Sequence, residues 1–276
     1  MKFSIYILAP LLLTVIATEG VRAQSSMQIQ SEQLLSGVGF DEKPGSIMDL
    51  DAPFVDHNGQ AVTLRDYLQD ERPVILNFAY YNCPVICSVM LDQMAVSMSE
   101  VGLDLGADYE VVTVSFSADE GYTLAATSRE GFRPKVDDRE NGWQFLTGSD
   151  ESITALAESA GFRFKWIEEN GEYAHPAALI FLSDEGKITR YLHGLQYPAS
   201  NVRLALLEAA EGRIGTVWDQ VVMYCFRFDP SSNSYVLQAT NLMKLAGLIT
   251  VIGIVFMLSF AWMRERRRQS AMHLAS

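Results

Sequence analysis

The stretch Asn77–Leu91, N-F-A-Y-Y-N-C-P-V-I-C-S-V-M-L, holds two of the chain's three cysteines, Cys83 and Cys87, four positions apart. A thiol pair at this spacing can close a disulfide, cycle as a redox couple, hold a soft metal ion or simply pack. Spacing alone leaves all four open. If a helix begins at Cys83, sulfurs four residues apart share one helix face. Pro84 would then sit in the first turn, where a missing N–H costs nothing. The positive end of the helix dipole would lower the Cys83 pKa and raise its thiolate fraction, and thiolate is both the nucleophile and the ligand form of cysteine. A purely stabilising staple gains most when it closes a long loop, which this pair does not.

A metal site needs a third donor, and the sequence offers four histidines. His57 sits in an Asn-Gly turn and is expected to face solvent. His273 lies in the charged C-terminal tail. His193 ends a strand at H-G-L and is the second choice. His175, in G-E-Y-A-H-P-A-A-L-I-F-L-S-D-E-G-K, just precedes Pro176 and an apolar strand, and is the first choice. Met90, Met94 and Met98 continue the cysteine helix at i, i+4 and i+8. Thioethers suit Cu(I), but the same spacing makes a flexible core stripe, the expected reading. Cys225, alone in V-V-M-Y-C-F-R-F-D-P, is expected as a buried thiol.

The elements that must position these groups are legible in outline. P-F-V-D-H-N-G-Q-A-V-T-L (53–64) has Asn58-Gly59 between alternating apolar residues, a hairpin signal. V-I-L-N-F-A (74–79) reads as a buried strand entering the cysteine loop. A helix is expected over 85–101, with Gly102 at its stop, then the β-branched strand E-V-V-T-V-S-F-S (110–117). Helices are expected over 122–129, 149–160 (capped by Ser149, ended by Gly161) and 200–210. Strands over 143–146, 162–167, 177–182 and 187–192 complete the set, the last two joined by the Asp184-Glu185-Gly186 turn. Alternating strands and helices predict a three-layer α/β domain over residues 50–212. Residues 24–49 read as a lead-in and 213–241 as a less regular extension.

The two ends carry addressing signals. Lys2, an apolar run and Val21-Arg22-Ala23 form a secretory signal over residues 1–23. The uncharged run Leu245–Met263 is about long enough to span a ~30 Å hydrocarbon core, so a transmembrane helix is expected over 242–263. Arg264 and Arg266–Arg268 follow it and place the tail, 264–276, in the cytoplasm. The main domain would then lie in the periplasm, tethered to the cytoplasmic membrane. The net charge of −13 speaks against a nucleic-acid partner.

A strand, C-P-V-I-C at a helix start, and a distant A-H-P-A-A-L-I-F-L-S-D-E-G-K together resemble the Sco/SenC family of thioredoxin-like copper chaperones, over residues 50–212. The resemblance implies a thioredoxin-like three-layer α/β/α fold. It also implies a copper ion, Cu(I) or Cu(II), on Cys83, Cys87 and His175, and a role in building the dinuclear copper site of cytochrome c oxidase. Oxidase subunit II would be the partner, with a copper donor or a thiol reductase as further ones. It implies a cis bond before Pro176, which would set His175 beside Cys83. Two thiolates and an imidazole form a soft set suited to copper, whereas a structural zinc usually takes four protein ligands. A Cys83–Cys87 disulfide would block the ion and couple loading to redox state. The chain departs from the family pattern at Val85, Ser88 and Ala174, and in its C-terminal span. The same two cysteines also support a thiol–disulfide oxidoreductase and, further off, a peroxidase.

Overall fold

The computed structural model describes residues 36–273 except 69–70, 84–85, 137–140, 170 and 212–214. The expected signal, residues 1–23, lies outside the described residues, as do Pro84 and Val85 of the cysteine motif.

The centre of the fold is three parallel strands: β4 (Val74–Ala79), β5 (Glu110–Ser115) and β6 (Trp143–Gly148). On the near side β10 (Ala178–Leu182) pairs antiparallel to β4, and β11 (Ile188–His193) pairs with β10. On the far side β2 (Phe54–Asp56) pairs with β6, and β3 (Ala61–Val62) closes the edge. The order is β11-β10-β4-β5-β6-β2-β3. Every residue of β4, β5 and β10 is buried, so each strand feeds two cores by simple alternation. Ile75, Ala79, Leu179 and Phe181 face one core; Val74, Leu76, Phe78, Ile180 and Leu182 face the other.

Helices α1 (Ile86–Glu100), α2 (Tyr122–Phe132) and α4 (Ala199–Ala209) cover the first face, and α3 (Asp150–Ser159) the second. This is the expected thioredoxin-like α/β/α arrangement. Ser149 caps α3, its hydroxyl accepting the Ser152 N–H at 3.2 Å. Met90, Met94 and Met98 are buried in the core between α1 and the sheet, so the stripe packs.

The lead-in belongs to the fold from residue 39 onward. β1 (Gly39–Phe40) pairs with β7 (Phe162–Arg163), and Met48 and Leu50 enter the second core. Gly161 makes this docking possible. Its φ is +66°, and a Cβ there would lie 1.9 Å from the Asp41 carbonyl oxygen. The remaining short strands, β8 (Lys165–Ile167) and β9 (Glu172–Ala174), form a ribbon leading to His175.

Residues beyond 214 are more regular than expected. They form α5 (Val217–Cys225), the hairpin β12 (Phe226–Asp229) and β13 (Ser234–Leu237), and the long α6 (Ala239–His273). Thr216 and Asp219 make a capping box at α5. Arg203 of α4 grips Asp219 with two hydrogen bonds, at 2.9 and 2.7 Å, and donates to the Val101 and Gly102 carbonyls. This guanidinium holds the Asp219 carboxyl well below the usual carboxylate range. Asn233 Nδ2 donates to the His193 carbonyl at 2.7 Å, and Tyr235 donates to Glu208. The order here comes from these clamps onto the domain, which no local periodicity announces. Within α6, Ala239–Arg264 is long and apolar enough to cross a membrane.

Candidate metal centre

Strand pairing explains why groups so far apart in sequence meet. β10 runs antiparallel to β4 with Leu179 opposite Asn77. Continuing that register past the strand ends sets His175 opposite Tyr81, at the mouth of the cysteine loop. The structure brings these groups together. His175 Nε2 lies 3.5 Å from Cys87 Sγ, and the Cys87 N–H donates to Cys83 Sγ at 3.3 Å. Both thiols are free, Cys83 partly exposed and Cys87 buried. The peptide bond before Pro176 is trans, since the structure holds no cis bond among the described residues. The antiparallel register brings the chain before β10 to the cysteine end of β4.

The imidazole is held in a defined state. Its Nδ1 lies 3.1 Å from the Pro176 carbonyl oxygen. A carbonyl only accepts, so Nδ1 carries the proton and Nε2 turns its lone pair toward Cys87. Burial lowers the His175 pKa, which keeps the ring neutral. Phe116 packs against it at 4.8 Å between centroids and touches Tyr80 at 5.6 Å. Burial also pushes the Cys87 thiol well up and the Tyr80 hydroxyl up to about 12. Cys87 is therefore a protonated thiol at rest, and it must lose that proton to ligate a metal or attack a disulfide.

The donor set fits a soft cation. Sulfur and nitrogen bound to one tetrahedral ion, at ~2.3 and ~2.0 Å, stand about 3.5 Å apart. That is the Cys87–His175 separation. The set is only partly gathered: among the described residues no three metal-ligating side chains of His, Cys, Asp or Glu are already clustered.

One residue at this site escaped sequence reasoning. Glu120, buried, accepts the N–H of Tyr81 at 2.8 Å and of Asn82 at 2.7 Å, and the Ser115 hydroxyl at 2.6 Å. Its carboxylate ties down the loop immediately before Cys83. Parallel pairing explains its arrival, because Ser115 sits opposite Ala79 and Glu120 follows five residues on. The only signal was an acid shortly after a buried strand, which sequence alone cannot aim.

The other sequence candidates lie elsewhere. His57 occupies the β2–β3 turn at the opposite edge of the sheet and is half-buried. His193 ends β11, where its Nε2 lies 2.6 Å from Glu42. Cys225 is buried at the end of α5. His273 ends α6.

Comparisons with known proteins agree on the fold. A search of curated proteins gave no significant match. Among solved structures, a candidate electron transfer protein from Aquifex aeolicus VF5 is similar with TM-score 0.55 and 23% identity, covering 60% of this chain and 94% of that one. ScoI of Arabidopsis thaliana with copper bound is similar with TM-score 0.50 and 19% identity, over 60% of this chain and 99% of that one. A SCO1/SenC family lipoprotein from Bacillus anthracis str. Ames is similar with TM-score 0.50 and 20% identity, over 62% and 99%. The SCO1/SenC family model matches residues 44–208, a span that holds both cysteines, His175 and Glu120, and the chain therefore belongs to the SCO1/SenC family.

Proposed function

We propose that this protein binds one copper ion through Cys83, Cys87 and His175 and helps assemble the dinuclear copper site of cytochrome c oxidase. Oxidase subunit II is the partner, α6 is the tether in the cytoplasmic membrane, and the α/β domain stands in the periplasm. The contact that carries this reading is the 3.5 Å approach of His175 Nε2 to Cys87 Sγ. A partly buried, neutral imidazole with a free lone pair beside a thiol pair is a soft, low-coordination donor set that suits both Cu(I) and Cu(II). The copper-bound ScoI of Arabidopsis thaliana shares the fold. Copper here is cargo. Loading displaces the Cys87 proton, so affinity rises with pH.

Metal analysis of the reduced full-length protein tests the reading. About one copper per chain is expected, and His175→Ala should weaken binding at least about tenfold and change the optical spectrum. Unchanged stoichiometry and spectrum in that variant would remove His175 from the site.

The asymmetry of the two thiols favours a second reading, a thiol–disulfide oxidoreductase. Cys83, partly exposed, would attack a substrate disulfide, expelling one substrate thiolate and forming a mixed disulfide. Buried Cys87 would then attack Cys83 Sγ, release the second substrate thiolate and leave a Cys83–Cys87 disulfide. A mixed disulfide trapped by Cys87→Ser, with no copper retained by the wild type, would favour it.

A further inference from the structure

The segment between the domain and α6 carries an apolar surface that is exposed among the described residues. On α5, Trp218, Val221 and Val222 stand at i, i+3 and i+4 and so share one face. All three are exposed, Trp218 to 77%. Tyr224 on the same helix is exposed as well, as are Val236 and Leu237 of β13 and Leu242 and Met243 in the first turns of α6. α5 meets the domain through Asp219, which Arg203 grips, and through the buried Cys225 at its end.

This surface sits at the root of the apolar helix. Gln238 alone separates β13 from α6, and its N–H donates to the Cys225 carbonyl at 2.7 Å. Asn241 Nδ2 donates to the Tyr224 carbonyl at 2.8 Å. The end of α5 and the start of α6 are thus bonded to each other at the level where the chain turns apolar. A short amphipathic helix rich in Trp, Tyr and Val at that level has the composition of an interfacial element.

We infer that α5 and the tip of β13 form a foot resting on the bilayer that holds α6, with Trp218, Val221, Val222 and Tyr224 sunk into the headgroup–acyl boundary. The occupant of the exposed face is lipid. The inference rests on the tether reading of α6. It adds that the domain is seated on the membrane rather than suspended above it. The foot is welded to the domain by Arg203–Asp219, Asn233–His193 and Tyr235–Glu208, so seating it fixes the orientation of the whole domain.

The test uses the reduced full-length protein in phosphatidylcholine vesicles, comparing wild type with Trp218→Phe. The difference between their emission spectra isolates Trp218 from the other three tryptophans. The expected Trp218 component is blue-shifted, lost on adding lipid spin-labelled near the headgroup, and insensitive to aqueous iodide. Quenching by iodide and not by lipid overturns the foot. Protection from both quenchers means that a second copy of the chain covers the face, and overturns it too. An alkaline carbonate wash separates the two readings: protein retained with a water-exposed Trp218 defeats the foot alone, whereas protein released by the wash defeats the tether.

Discussion

Cys87 and His175, 88 positions apart in the chain, lie with Sγ and Nε2 3.5 Å from each other. Each restrains the other's chemistry. The imidazole is kept neutral by burial, and its Nδ1 proton is committed to the Pro176 carbonyl. The thiol keeps its proton because burial penalises the thiolate. Removing that proton, by metal binding or by oxidation, is the step that activates the pair.

The thiols should differ in reactivity. Cys83 is partly exposed, while Cys87 and Cys225 are buried. In the folded, reduced protein, iodoacetamide should modify Cys83 first, with Cys87 and Cys225 at least about tenfold slower. Timed peptide mass spectrometry reads the order, and all three should react alike in denaturant. Faster labelling of Cys87 than of Cys83 would contradict the exposures described here.

Glu120 should matter to loop and site together. Glu120→Gln keeps one acceptor oxygen but turns an NH₂ group toward donors that need an acceptor. Leaving such a buried donor unmet costs about 1–3 kcal/mol, readable as a lower denaturation midpoint. Copper affinity should fall as well, because the loop entering Cys83 loses its anchor. Glu120→Gln with wild-type stability and wild-type copper binding would show that the carboxylate holds nothing.

Stability should fall on both sides of neutrality. The folded pKa of His175 lies below the ordinary 6.5. Its neutral form is favoured in the fold, so its contribution is complete above pH 6.5 and is lost as pH falls through the lower folded value. The folded pKa of Cys87 lies above the ordinary 9.0. That contribution is complete below pH 9.0 and is lost as pH rises above it. Urea melts across pH should show His175→Gln flattening the acid side and Cys87→Ser flattening the alkaline side. A wild-type profile that is level from pH 5 to 6.5 and unchanged in His175→Gln would argue against a partly buried, neutral imidazole.

Much of the fold was legible because β4 and β10 are largely apolar runs and β5 is β-branched, while Asn58-Gly59 and Asp184–Gly186 mark the β2–β3 and β10–β11 turns. His175 was legible for its place before β10, and the antiparallel register supplies the reason that place faces the cysteines. Glu120 was not, because its role exists only once β5 lies beside β4. The cis bond expected at Pro176 failed for a related reason: the register delivers His175 without it. The helix and hairpin after residue 214 were missed because α5 has only nine residues, too few for a clear period. Its order is imposed from outside by Arg203.

The single-residue connection at Gln238 leaves the domain without a leash. Once α6 is embedded, the thiol pair can neither swivel freely nor reach far into the surrounding space. On the proposed tether, a membrane-bound partner would meet Cys83 by drifting sideways in the plane of the lipid, at a fixed height. A longer, looser spacer inserted after Leu237 would trade that two-dimensional encounter for a wandering one, without altering a single donor atom.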